Sequence, residues 1–206
     1  MRKITLFLWL GIVFSGTTWG LSYETVRQAY YDSYRYEREG RFSEAIRALQ
    51  VVFRAYPQDY TVNLRLGWLF YRAGRYREAI KHYERALSAQ PEAVEPLLGL
   101  SLPYLAQRDW SQVEKLMYRV LKIDPFNYYG RLRLSFALRQ QGKYAQAEAV
   151  CRKMLALYPT DINFLAELAL NLYYLGKKEE ARRAFRDLSI LAPQNPLLKK
   201  YFPDQR

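Results

Sequence analysis

The feature that most constrains this chain is a period. Prolines stand at Pro57, Pro91, Pro125, Pro159 and Pro193, each 34 residues after the last. Glycines keep the same register at Gly40, Gly74, Gly142 and Gly176, with Arg108 where the remaining glycine is missing. Alanines follow at Ala45, Ala79, Ala147 and Ala181, and Val113 takes that place in the third unit. Two residues after each turn position come Phe42, Tyr76, Trp110 and Tyr144, a series that Lys178 breaks. Five units fit without insertion or deletion: 26–59, 60–93, 94–127, 128–161 and 162–195. Such a chain does not close one central core. Each unit buries its apolar face on the next.

One unit reads as two antiparallel helices. In 60–93, Leu66, Leu69 and Phe70 recur at helical spacing. Gly74 then supplies a turn, because glycine enters the left-handed backbone region freely. Tyr76, Ala79, Ile80, Tyr83, Ala86 and Leu87 form one face of a second helix. Pro91 stops it, lacking an amide hydrogen and clashing with the preceding turn. A small residue recurs in every first helix, at Ser33, Gly67, Ser101, Ser135 and Ala169. Opposite the periodic alanines, these let the paired helices approach closely.

The stretch Leu66-Gly67-Trp68-Leu69-Phe70-Tyr71, then Gly74 to Ile80, Ala86-Leu87 and Pro91, resembles the tetratricopeptide repeat (TPR) family. The resemblance covers residues 26–195. It implies an all-α, right-handed α-solenoid of five helix-turn-helix repeats, with a concave groove lined by the first helix of each pair. It also implies a scaffold for protein–protein interaction rather than an enzyme. The third unit departs most, since Arg108 replaces the turn glycine and Pro103 lies inside the first helix, where a kink is expected. At the ends, the polar, Tyr-rich segment 22–39 serves as its own cap, and 196–202 forms a short C-terminal capping helix. That cap is shorter than a full helix, so part of the last face stays open to a partner or a second copy.

The resemblance places a stripe of residues in the groove. The first unit offers Arg27, Tyr30, Tyr34 and Arg38, and the second Leu64, Trp68, Tyr71 and Arg72. Leu98 and Leu102 follow, then Tyr129, Leu132, Phe136 and Arg139, and finally Ala166, Leu170 and Tyr173. Aromatics interleaved with arginines are the composition of interface hot spots. Tyr and Trp offer flat faces to peptides or sugars, and arginine grips a carboxylate with two hydrogen bonds. Some of these rings are equally suited to packing between neighbouring first helices. The lysines and asparagines with which related repeats clamp chaperone tails are missing from this stripe.

The first 20 residues read as an address. Arg2 and Lys3 precede an apolar run from Ile4 to Phe14, with small residues leading to Gly20. This is the pattern of a secretory signal peptide, with an uncleaved anchor as the alternative. The expectation is therefore a periplasmic or otherwise exported protein with its repeat domain over residues 21–206. The net charge of +12 favours acidic partners, and 19 Tyr supply much of the aromatic content. The basic residues scatter, however, instead of forming the continuous stripe that nucleic acid requires, and export removes that partner.

Chemistry has little to work with. A single cysteine, Cys151, and a single histidine, His82, exclude an internal disulfide and a multi-histidine metal site. Cys151 falls in a helical slot shared with Leu49, Tyr83, Met117 and Phe185, so it is expected in the core. His82, between Lys81 and Tyr83, is expected on an outer, solvated face. There is no phosphate loop and no cofactor motif. The sequence therefore points to a protein- or peptide-binding scaffold of the cell envelope, with an acidic polysaccharide as the alternative ligand.

Overall fold

The computed structural model describes residues 20–203, so the leader expected at the N-terminus lies, apart from Gly20, outside the described residues. Ten helices form five hairpins: α1 (Tyr23–Arg38) with α2 (Phe42–Ala55), α3 (Tyr60–Arg72) with α4 (Tyr76–Ala89), and α5 (Val94–Ala106) with α6 (Trp110–Ile123). Then come α7 (Tyr128–Gln140) with α8 (Tyr144–Leu155), α9 (Ile162–Tyr174) with α10 (Lys178–Leu191), and the short α11 (Pro196–Tyr201). Each hairpin packs on its neighbours in chain order, and the whole is a right-handed α-solenoid closed by α11. Among the described residues no helix is long and apolar enough to cross a membrane.

The periodic residues do local work. After α3, Gly74 adopts φ 73°. Its amide bonds to Tyr71 O at 2.9 Å and that of Arg75 to Phe70 O at 2.8 Å, so two otherwise orphaned carbonyls are satisfied. Arg108 makes the same turn at φ 59° and keeps the same hydrogen bonds, to Leu105 and Tyr104. Two residues beyond the stop proline, Asp59, Asn127, Asp161 and Asn195 each cap the next first helix through a side-chain oxygen. Ala93 stands in that place before α5 and offers no side-chain cap.

Pro103 does not interrupt α5, which runs as one helix from Val94 to Ala106. Proline's fixed φ suits a helix, and the cost is one backbone hydrogen bond together with crowding of the previous turn. The helix of the third unit thus continues through its proline.

The small residues seat large ones. Ser33, Ser101, Ser135 and Ala169 are fully buried, as are Ala45, Ala79 and Ala147. Tyr83 of α4 lies against both Gly67 of α3 and Gly99 of α5; a Cβ built on Gly99 would stand 2.2 Å from the Tyr83 ring. Ordinarily Gly→Ala inside a helix stabilises by about 1 kcal/mol. Here overpacking dominates, and Gly99→Ala is expected to lower stability by about 1–2 kcal/mol in urea unfolding. A gain in stability would show that the ring does not occupy that place.

His82 is not on an outer face. It is 7 % exposed, stacked on Phe70 at 5.0 Å, with Phe53 edge-on at 5.0 Å. Its Nδ1 lies 2.9 Å from Asn63 Oδ1. Helical spacing placed it between an exposed Lys81 and a buried Tyr83, and the packing of α4 between two units turned it inward. Cys151 is fully buried, as expected, and burial pushes its thiol up to about 12.

At the N-terminal end, the places held in the next unit by Val62, Leu66 and Leu69 carry Gln28, Asp32 and Arg35. Asp32 accepts from Gln28 Nε2 at 3.0 Å and from Arg35 Nη2 at 2.8 Å. This polar triad ends the stack with hydrogen-bonded groups where the inner units carry aliphatic ones.

Candidate functional site

The first helices α1, α3, α5, α7 and α9 set the expected stripe side by side. Tyr34, Tyr129 and Tyr173 are each more than half exposed. Arg27, Arg38 and Arg72 are exposed as well, with Arg27 3.0 Å from Glu24 of its own helix. Leu64, Trp68, Tyr71, Leu98, Leu102, Leu132, Phe136 and Ala166 are half-buried, pressed between neighbours with part of each side chain open. Tyr30 is also half-buried, and its phenol is pushed up to about 12, chiefly by burial. Leu170 departs from the expectation: at 5 % exposed it belongs to the C-terminal core with Phe164, Leu168 and Phe185, and it offers no surface to a ligand.

Beneath the stripe lies a set of buried charges. Glu37 of α1 accepts Trp68 Nε1–H on one carboxylate oxygen and Arg65 Nη1–H on the other, each at 2.5 Å. Arg72 approaches the same carboxylate at 3.7 Å. The Arg65 guanidinium also lies 3.8 Å over the Tyr34 ring. Burial alone would raise the Glu37 pKa, but these hydrogen bonds and cationic neighbours prevail and hold the carboxyl below its usual range. Further along, Arg139 of α7 grips Glu167 of α9 with two bonds of 2.8 and 3.0 Å, both side chains being 13 % exposed.

The other junctions are tied differently. Arg133 of α7 donates to Leu98 O at 2.6 Å and Ser101 Oγ at 2.7 Å on α5. Its pKa is lowered by burial, against the opposing influence of Tyr71, Tyr83 and Tyr129. Between α3 and α5, Tyr60 Oη donates to Glu95 at 2.8 Å. Each pair of adjacent first helices is therefore held by at least one polar contact, and the aromatic stripe rests on a fixed base.

The arginines of the stripe consequently differ in what they offer. Arg139 is spent on Glu167, whereas Arg38 and Arg72 keep exposed heads. Trp68 is both a stripe residue and a strut, since its indole N–H is committed to Glu37 while Tyr71 and Arg72 cover its ring.

Sequence reasoning passed over Glu37, Arg65, Arg133 and Glu167. A signal existed: Arg65, Arg133 and Glu167 share one register of the 34-residue period, immediately beside the stripe. They looked like solvated charges because nothing in the sequence shows the neighbouring helix that covers them.

The tetratricopeptide repeat models match residues 33–94, 64–128 and 98–162, and a second model of the same description matches 138–200. The chain belongs to the tetratricopeptide repeat family. No curated protein matches it in sequence. Among solved structures it is similar to MamA of strain AMB-1, at 26 % identity and a TM-score of 0.69, covering 79 % of this chain and 96 % of that one. Residues 41 to the end of MamA from Desulfovibrio magneticus RS-1 superpose with a TM-score of 0.75 at 17 % identity, covering 84 % and 98 %. A further MamA crystal structure gives 0.73 at 18 % identity, covering 87 % and 96 %. The two more distant likenesses speak to the fold.

Proposed function

We propose that this chain is a non-enzymatic scaffold, exported to the cell envelope, that holds a segment of a protein partner along its concave face. The observation that carries this reading is the row of exposed rings, Tyr34, Tyr129 and Tyr173, on helices braced from below by buried ion pairs and hydrogen bonds. A rigid aromatic surface loses little conformational entropy when it binds, which is why such residues dominate interfaces. Export rests on the basic-then-apolar pattern of residues 2–14. A protein ligand is preferred to an acidic polysaccharide because Arg65 and Arg139 already serve carboxylates within the chain. Too few free cations remain on the stripe to track a polyanion.

The test separates binding from folding. Tyr129→Ala and Arg38→Ala remove exposed groups and are expected to leave the melting temperature within a few degrees of the parent. Each is expected to weaken a partner captured by in-cell photocrosslinking from the groove by about tenfold, or about 1.4 kcal/mol. Unchanged capture in both variants would remove the groove as the binding face. Detection of the chain in the cytoplasmic fraction alone would remove the envelope assignment.

A further inference from the structure

The C-terminal end carries a second candidate surface, distinct from the groove stripe in its chemistry. In the 34-residue register, Pro196 opens a sixth first helix. α11 follows that register for six residues and ends at Tyr201. Pro203 falls where the earlier first helices carry their small packing residue, and a proline disfavours helical backbone in the residue before it. Accordingly Phe202 sits at φ −144°, ψ 51°. The slot that the rest of this helix would fill is a cavity of about 620 Å³, walled by Tyr173 and Tyr174 of α9, Lys178, Arg182 and Phe185 of α10, and Tyr201 of α11. Tyr174 and Tyr201 are joined through their hydroxyls at 2.9 Å, and Phe185 stacks on Tyr201 at 6.0 Å.

Charge says what would fill it. In the third unit Glu114 reaches Lys143 of the next at 2.7 Å, and in the fourth Glu148 reaches Lys177 at 2.8 Å. One period after Glu148 stands Arg182, so the rung is reversed at the open end. Its partner among the described residues is Glu179 of its own helix, at 3.9 Å and with both side chains well exposed. A second copy continuing the stack would bring Arg41, which shares the register of Lys143 and Lys177, to Arg182. It would also press the Gln28–Asp32–Arg35 triad onto an aromatic wall. Polar burial opposes that arrangement, and Arg41, itself held by Glu39 at 3.0 Å and Glu44 at 3.2 Å, is not the opposite-charge rung that Arg182 lacks.

We propose that the cavity seats a short amphipathic helix of a different protein, apolar on one face and bearing a carboxylate that pairs with Arg182. The walls belong to the two helices that in each earlier unit receive a helix, and the charged side chains that line the cavity, Lys178 and Arg182, are both positive. The occupant continues the first helix of a sixth unit from where α11 ends.

The probe is a piece of this chain. The peptide Leu168–Lys177, which in the 34-residue register matches the part of the slot left open beyond Tyr201, is synthesised as it stands and with Lys177→Glu. Each is titrated against the full chain by fluorescence anisotropy. The Glu peptide is expected to bind about tenfold tighter than the Lys peptide. Arg182→Glu, a change at a side chain 61 % exposed and expected to keep the parent's melting temperature within a few degrees, is expected to invert that order, and Lys178→Glu to reduce it. Equal affinity of the two peptides, an order unaffected by Arg182→Glu, or no binding of either overturns the proposal. So does sedimentation showing self-association of the parent that the Glu peptide abolishes, since that would make a second copy the occupant.

Discussion

Glu37→Leu is expected to cost about 3–5 kcal/mol of folding stability, because it leaves the Arg65 guanidinium buried without its counter-charge. The Arg65 side chain is 8 % exposed, and its Nε and Nη2 have no hydrogen-bond partner among the described residues. Glu37 is therefore its one carboxylate, and the Tyr34 face its other neighbour. The same change removes the acceptor of the Trp68 indole. Replacing both members, as Glu37→Leu with Arg65→Met, is expected to return most of that loss, since a buried pair is worth little more than apolar side chains of similar volume. The double-mutant cycle in urea decides it. If the single change costs under about 1 kcal/mol, the pair is solvated and the base of the stripe is looser than described. In a linear array the damage is also local, so amide protection should fall first in α1 and α2.

The second large effect is a loss of stability in mild acid. Burial, aided by the nearby positive charge of Arg85 and opposed by Glu78, lowers the His82 pKa from 6.5 to about 4. The folded chain thus holds the neutral imidazole, between two phenylalanine rings, where the unfolded chain binds a proton. The stabilisation is complete above the unfolded value of 6.5. It erodes as pH falls from there to about 4. At 1.36 kcal/mol per pKa unit the loss amounts to roughly 3 kcal/mol. Because the chain has one histidine, its imidazole signals in a proton–carbon NMR titration need no assignment. A midpoint near 4 is expected, and a midpoint at 6 or above would show an open side chain. His82→Phe is expected to flatten the stability profile over the same range. Glu37 and Glu148 act lower: their carboxyls are held below the usual range, so their contributions are lost only as pH drops beneath 4.5.

Those two predictions mark the boundary between what was legible and what was not. Gly74 announces a left-handed turn, the 34-residue register assigns the same turn to Arg108, and the cap residues Asp59, Asn127 and Asp161 stand at a fixed step beyond the stop prolines. Each of these is a statement about a few adjacent residues. The burial of Cys151 was equally plain, because its slot is apolar in every other unit. His82 was misplaced because its position is covered from two sides, by Phe53 of the unit before and Phe70 of its own. Leu170 was misplaced for a similar reason, since its slot is open in other units and closed in the last.

The sequence by itself determined the repeat, its helices, their turns and the end of the stack, because each depends on local backbone preference and on a period that any reader can count. Tertiary structure decided which charges beside the stripe are buried and paired. Glu37 and Arg65 lie on different helices in different units, and Arg139 finds Glu167 in the unit after its own. Whether such groups meet depends on the spacing and stagger between stacked helices, which arise from side-chain packing across the whole interface. The same stagger buries Arg65 on α3 and leaves Arg72, on the same helix, at the edge of the same carboxylate with its side chain 42 % exposed.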